Sequence, residues 1–290
     1  MGLKMTKQSE IMHDNNYKAV LNEGFIGLVD VMGDDNAIEQ AARVSYGEGT
    51  RKTSETRGLI RYLMRHWHST PFEMVEFKFH CKMPIFVARQ WIRHRTANVN
   101  EYSGRYSVMV DDFYVPEVKH ILPQSDNNNQ GRGGELDFQD QHAAQLLIEQ
   151  CNERCYDKYQ ILLGQCEKNY TVIDGSDRRT FTADFEGIAR EIARGVLSVN
   201  NYTEWYWKCD LHNIFHFLRL RSDDHAQYEI RVYAQAMAKF VKKHVPLAYE
   251  AFEDYRLEAE NFSKQEMSVL EILLSNVDSD ELSLLGEQEG

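Results

Sequence analysis

The chain has 290 residues, 42% hydrophobic and 27% charged, which predicts one or two globular domains with mass enough for a sizeable core. Lys and Arg number 33 against 45 Asp and Glu, a net charge of -12. That balance excludes a general nucleic-acid binder, which needs broad positive surface, but not a small anionic ligand in a local basic pocket. No apolar run reaches the roughly 18 residues of a membrane span, so no membrane association is expected.

Residues 1–17 are polar and lack the apolar core of a signal peptide, and are expected to form a flexible lead-in. Gly24–Val31 predicts a buried strand, and Asp34 and Asp35 offer caps for a helix from Asn36 to Val44, closed by the turn Ala42–Gly47. Leu59, Ile60, Leu63 and Met64 give Ser54–His68 helical spacing, with Pro71 as its stop. Val75, Phe77, Phe79, Cys81 and Met83 then alternate with Glu76, Lys78, His80 and Lys82, which predicts a strand with one wet face.

Pro84 is suited to open a helix through Ile92, on which Gln90 and Arg93 are neighbours three residues apart. Arg105–Val115 reads as strand, and Leu122–Leu136 as a break containing an Asn-rich mobile loop. Helices are expected over Asp137–Cys166, Phe185–Val199, Trp205–Arg221 and His225–Phe252, the last broken near Pro246. Residues 257–290 read as a helical stub and an acidic tail, which leaves 18–256 as a single domain. The fold class expected is α+β: a small, mostly antiparallel sheet with several long helices.

Two polar clusters stand out. The first runs from Arg93 to Arg105 and holds three arginines, His94, two asparagines, Glu101 and Ser103 in an otherwise acidic chain. Arginine forks match phosphate and carboxylate oxygens in pairs, although a charged surface loop has the same composition. The second holds Asp210, His212, His216 and Arg221. His212 and His216 are four apart, a spacing open to two zinc ligands, a structural histidine face or an organic-ligand face; Asn213 stands where a metalloprotease has glutamate. Arg221 also suits a helix C-terminus through the dipole alone.

Other templates fail. No Gly-x-Gly-x-x-Gly follows a strand, and no Walker or Gly-x-Ser-x-Gly sequence occurs. The five cysteines (Cys81, Cys151, Cys155, Cys166 and Cys209) are odd in number and without paired spacing, which points to a reducing, cytoplasmic setting and to burial as small apolar groups. Cys151 and Cys155 could share a helix face, a weak metal spacing. The residues alone thus support a site for an anionic, planar organic ligand, and no reaction.

The motifs carry more. Arg93-His94-Arg95, seven residues, then Ser103-Gly104-Arg105 resembles the signature of the flavin-dependent thymidylate synthases. His68-x-Thr70-Pro71-Phe72-Glu73, Ala88-Arg89-Gln90-Trp91-x-Arg93, Arg190-x-x-x-Arg194 and Leu218-x-Leu220-Arg221-x-Asp223-x-His225-Ala226-Gln227 are similar to further family blocks, in family order, between Gly24 and Phe252. The resemblance implies conversion of dUMP to dTMP by a homotetramer with sites at subunit interfaces. Methylenetetrahydrofolate would supply the carbon, FAD reduced by NADPH the hydride, and no enzyme cysteine would attack the substrate. It implies no metal.

Residue by residue, the resemblance makes Gln90, Trp91, Ile92 and Arg93 dUMP contacts, with Glu101, Tyr102, Ser103, Gly104 and Arg105, joined by Arg194 from another subunit. Arg221 resembles the activating residue beside the uracil ring. Ser45, Thr70, Glu73, Arg93, His94, Arg95, Asn100 and Glu101 resemble flavin contacts, with His68 close by. Asp210, Leu211, His212 and His216 fall where family members vary. Asn98, where serine is commonest, is expected to tune these contacts. Two rival readings predict different behaviour: a nucleotide- or flavin-binding protein without turnover, and a zinc hydrolase on His212 and His216.

Overall fold

The computed structural model describes residues 5–11, 13–44, 55–126, 131–165, 170–173, 180–183 and 186–275. Ser45, Cys166, the asparagines of the 127–130 loop and the tail beyond 275 lie outside them.

In chain order the elements are α1 (Gln8–Ile11), β1 (Tyr17–Val20), β2 (Gly24–Met32), α2 (Asp35–Arg43), α3 (Thr56–Arg65), α4 (Thr70–Glu73), β3 (Glu76–Pro84), α5 (Ile85–Trp91) and β4 (Asn98–Glu101). They continue with α6 (Phe138–Leu162), β5 (Tyr170–Ile173), β6 (Thr180–Ala183), α7 (Arg190–Ala193), β7 (Tyr202–Asp210), α8 (Leu211–Arg221), α9 (Tyr228–His244), α10 (Pro246–Phe252) and α11 (Lys264–Leu274). The five-stranded sheet has the order β1-β2-β3-β7-β4, every pairing antiparallel, and β5 and β6 form a separate pair. The fold class is therefore the mixed helix and antiparallel sheet expected.

β3 is the sheet's centre. Val75, Phe77, Phe79, Cys81 and Met83 are all fully buried and belong to one core with Phe217 and Leu218 of α8 and Tyr233, Met237 and Phe240 of α9. Trp91 of α5 stacks on Phe217 with ring centroids 4.8 Å apart. Each large aromatic ring removes roughly 150–250 Å² from water, so this layer fixes α5 and α8 against each other. Asp35 ties α2 to α10 by accepting from the backbone N–H groups of Leu247 and Ala248, both at 2.9 Å. Gly24 admits no side chain, because a Cβ there would stand 1.9 Å from the Tyr233 hydroxyl.

The opposite face of β3 is not simply wet. His80 and Lys82 are buried, and Lys82 Nζ donates to Asp112 Oδ2 at 2.6 Å and to the Thr6 carbonyl at 3.0 Å. Thr6 donates its N–H to Glu204 Oε2 at 2.8 Å, and Glu204 Oε1 meets His80 Nε2 at 2.6 Å. Residues 5–11, expected within a free lead-in, thus cover this face, with Met5 buried. The alternation was right; the burial of its polar half depended on distant chain.

Several boundaries differ from expectation. The stretch 205–210 is strand, not helix: Trp205, Trp207 and Cys209 point into the core while Tyr206 is exposed. Only Arg190–Ala193 and a 3-10 turn at Arg194–Val196 are helical in 186–199. Residues 105–115 form loop with a single bridge from Phe113 to Asn201. Pro71 does not stop α3, which ends at Arg65; it lies in the first turn of α4, where its missing N–H costs nothing. The long helix, the break at Pro246 and the helix opened by Pro84 fall where expected. Among the described residues no helix is long and apolar enough to cross a membrane.

Candidate functional site

α8 delivers the central group. Its N-cap is Asp210, whose carboxylate accepts from the Asn213 N–H at 2.9 Å and from the Asn213 side chain. Leu211 is fully buried and donates its N–H to the Val75 carbonyl at 2.8 Å, so the fold leaves it no surface for the flavin contact expected of it. His212 and His216 fall on one face, and Arg221 ends the helix. Arg221 Nε donates to His94 Nε2 at 3.1 Å, and the His94 ring packs edge-on against His216 and Phe217 at 5.8 and 5.0 Å. His94 Nε2 is thereby an acceptor, and its proton sits on Nδ1. Burial, then the charges of Arg221 and His216, lower the His94 pKa to about 4. Burial also pulls the Arg221 guanidinium below its ordinary range.

His94 reaches this position because α5 ends at Trp91 and the next turn carries Ile92 to Arg95 outward. Trp91 is buried, whereas Ile92, Arg93 and Arg95 are exposed. Neither Arg93 nor Arg95 pairs with a carboxylate among the described residues. Unpaired guanidinium groups beside a neutral histidine make an anion site.

Beside His216 lies a cavity of about 520 Å³ between α3, α4 and α8. Its floor is apolar, with Met64, Phe72 and Phe215, and its rim carries His68, His212, His216, Arg219 and Arg256. His68 is aimed by a backbone device. The Trp67 and His68 N–H groups bond back to Met64 and Leu63, a helix-ending motif that usually places glycine where Trp67 stands with φ 63°. The cost of roughly 1–2 kcal/mol for a left-handed non-glycine residue is offset by Arg256, whose guanidinium lies 3.4 Å from the Trp67 ring centroid. Thr70 lies on a neighbouring depression with His68, and Glu73 is half-buried in α4.

A second group forms where β4 ends. Asn100 is exposed on the strand, and Glu101 accepts from the Thr203 hydroxyl at 2.6 Å. Tyr102 donates its hydroxyl to the Val108 carbonyl at 3.0 Å. The Ser103 carbonyl accepts from the Tyr106 and Ser107 N–H groups, both at 3.1 Å, and closes the turn that presents Gly104 and Arg105. A Cβ on Gly104 would stand 3.3 Å from Cδ of Arg194, so Arg194 joins this turn from within the same chain. Arg105 pairs with Glu191 at 3.1 Å, and Arg190 donates to the Tyr106 carbonyl at 2.9 Å.

Gln90 belongs to a third network. Its side-chain amide donates to Gln227, Gln227 donates to Glu229 Oε2 at 2.9 Å, and Glu229 accepts from the Tyr114 hydroxyl at 2.8 Å and from Arg132. Gln227 lies in the motif that follows Arg221, whereas Glu229 and Arg219 carry no motif signal of their own in the sequence. Only the run of motif residues past Arg221 marked this region. No hydrogen bond or ion pair among the described residues joins the Ser103–Arg105 turn to the Arg221–His94 pair. Nor does any group of three His, Cys, Asp or Glu side chains among them stand ready to hold a metal.

Comparison with known proteins agrees with this geometry. The family model described as thymidylate synthase complementing protein matches residues 27–247. The chain is 55% identical to the flavin-dependent thymidylate synthase of Ruegeria pomeroyi over 91% of its own length and 82% of that protein's. It is 52% identical to the enzyme of the same name from Ehrlichia ruminantium, over 89% and 80% respectively. Among solved structures it resembles the UMP/dUMP methylase PolB from Streptomyces cacaoi bound with 5-Br UMP, with TM-score 0.68, 33% identity, and coverage of 82% of this chain and 97% of that one. The chain belongs to the flavin-dependent thymidylate synthase family, and is an enzyme of the methyltransferase class.

Proposed function

We propose that the protein converts dUMP, methylenetetrahydrofolate and NADPH with a proton into dTMP, tetrahydrofolate and NADP+, with FAD as the resident cofactor. The observation that carries this reading is the Arg221–His94 pair, flanked by unpaired Arg93 and Arg95 and opening beside the 520 Å³ cavity. Those residues fit FAD: two guanidinium groups for a pyrophosphate, and an apolar floor with a histidine rim for a planar ring. Thr70, Glu73, Asn100, Glu101, His212 and His216 would complete the contacts, with Asp210 holding the turn and Ser45 joining from outside the described residues. Bound FAD, once reduced by NADPH, supplies the hydride, and the folate supplies the one-carbon unit.

The chain's own part is to hold and polarise dUMP. Ser103, Gly104, Arg105 and Arg194 form the phosphate end, where each charge-assisted bond contributes roughly 1.5–3 kcal/mol. Gln90, Ile92, Arg93, Glu101 and Tyr102 would line the nucleoside, whereas Trp91 is fully buried in the core and supports them from behind. Arg221 is fixed by neutral His94, so its remaining N–H groups face the ring as a preorganised cation. Negative charge spreading through the pyrimidine as carbon adds is stabilised there. Neither Cys81 nor Cys209 would attack the ring: both are buried, burial pushes both thiols up, and Cys209 donates to the Thr96 carbonyl.

Among the described residues no bond joins the phosphate turn to the half-buried Arg221–His94 pair, and Tyr106 and Ile192 beside the turn are 77% and 66% exposed. Apolar surface left open beside the turn supports sites shared between copies in a homotetramer, whose catalytic domain would be residues 18–256 and whose setting would be cytoplasmic. A flavin absorbance spectrum recorded with and without dUMP tests the reading. A flavin band that dUMP perturbs is expected; protein that takes up no FAD overturns it.

A further inference from the structure

Glu229 is 1% exposed, yet its carboxylate lies one residue removed from a ligand contact. Arg132 and Tyr114 both donate to its Oε1, and Gln227 Nε2 donates to its Oε2 at 2.9 Å. These donors hold it ionised, its pKa below the usual carboxylate range despite burial. An ionised carboxylate only accepts. Gln227 must therefore turn its NH2 toward Glu229 and its carbonyl oxygen toward Gln90. Gln90 must then answer with its own NH2, as the Gln90 Nε2 to Gln227 Oε1 bond shows. The orientation of both amides follows from the acid at the end of the chain, not from how oxygen and nitrogen were assigned. Gln90 Oε1 is left without a partner among the described residues.

We infer that Glu229, acting through Gln227, is a positioning residue that fixes Gln90 as a hydrogen-bond acceptor, so that the site selects a nucleotide presenting an N–H or O–H donor at that point.

The inference rests on the reading of Gln90 as a dUMP contact. The dUMP dianion has two donors, the ring N3–H and the sugar 3′-hydroxyl, and either can meet Gln90 Oε1. The relay has a distinctive property, which is that its polarity can be reversed. In Glu229→Gln, Arg132 and Tyr114 still require an oxygen, so the new NH2 faces Gln227. Gln227 then turns over, and Gln90 presents NH2 where it had presented oxygen. In the double variant Glu229→Gln/Gln90→Glu, the residue at 90 accepts from the reversed Gln227 and again offers oxygen to the ligand.

The test is dUMP binding to the FAD-loaded enzyme by calorimetry. Glu229→Gln is expected to weaken dUMP about tenfold or more, the scale of one mispaired hydrogen bond. The double variant should recover most of that loss, although Gln90→Glu alone, which sets two acceptors against each other, should bind worst. Gln227→Ala, an exposed position that does not threaten folding, should lower affinity and flatten discrimination against analogues. With wild type, 3-methyl-dUMP or 2′,3′-dideoxy-UMP should bind weakly according to which donor is read, and that difference should shrink in Gln227→Ala. Unchanged dUMP affinity in both Glu229→Gln and Gln227→Ala, or a double variant no better than the product of its singles, overturns the relay. A wild type that binds FAD but no dUMP overturns instead the reading on which it rests.

Discussion

Arg221 Nε donates to His94 Nε2 at 3.1 Å, so a guanidinium at the end of α8 is oriented by a neutral imidazole from the turn after α5. The cation has no carboxylate partner among the described residues, which leaves its charge for a ligand. Arg221→Ala is therefore expected to reduce kcat roughly a hundred- to a thousand-fold, as removal of a preorganised donor does. Flavin content should be kept, because His94 and His212 remain. Steady-state turnover with an absorbance spectrum checks both; a loss confined to KM would assign Arg221 to binding alone.

The pH dependence follows from His94, whose folded pKa is about 4 against the ordinary value of 6.5. Between those values the unfolded chain binds the extra proton and the folded one does not. Stability on account of His94 thus falls as pH drops from 6.5 toward 4, and is flat above 6.5. The His94 ring-proton signals in an NMR titration should stay unchanged from about pH 8 to about pH 5.5 and move only below it.

Gly104 has an ordinary backbone conformation, and its lack of a side chain matters for space. A Cβ there would stand 3.0 Å from Met109 Sδ and 3.3 Å from Arg194 Cδ. Both neighbours are flexible enough to move, so Gly104→Ala should fold. Displacing Arg194 should weaken dUMP by about tenfold, the size of one charge-assisted bond. Unfolding temperature close to wild type together with a raised Kd for dUMP is the expected pair of results.

Lys82 and Asp112 give an asymmetric prediction. The Lys82 side chain is fully buried, whereas that of Asp112 is 21% exposed. Asp112→Ala strands a buried ammonium and should cost about 3–5 kcal/mol. Lys82→Met fills the same volume and leaves an aspartate that reaches water, so its cost should be clearly smaller. Denaturant midpoints of the two variants decide.

Much of this architecture was legible in the sequence, for reasons visible in particular residues. The alternation of β3 and the Pro84 start of α5 are local signals, and both held. β7 was legible and misread: Trp205, Trp207 and Cys209 alternate with Glu204, Lys208 and Asp210, a period of two that the aromatic Tyr206 masks, and Asp210 as the N-cap of α8 was the overlooked boundary. The cover that residues 5–11 give to His80, Lys82 and Glu204 joins positions nearly 200 apart, which no local pattern records. In the site, the motifs named Arg93–Arg95, Ser103–Arg105 and Arg221, but the resemblance brought Arg194 from another subunit, whereas the fold sets it against Gly104 of the same chain. The Gln90–Gln227–Glu229 relay was hidden for the same reason: its polarity depends on Arg132 and Tyr114, which meet Glu229 only through the fold.

Reductive methylation of dUMP at a flavin site has a direct readout in the fate of the C5 hydrogen. FAD-loaded protein is given dUMP tritiated at C5, methylenetetrahydrofolate and NADPH, and tritium release and thymidylate are followed together. Equal amounts of both, ceasing when any one of the three reactants is omitted, are predicted. FAD-loaded protein that binds dUMP yet forms no thymidylate with all three present would exclude reductive methylation.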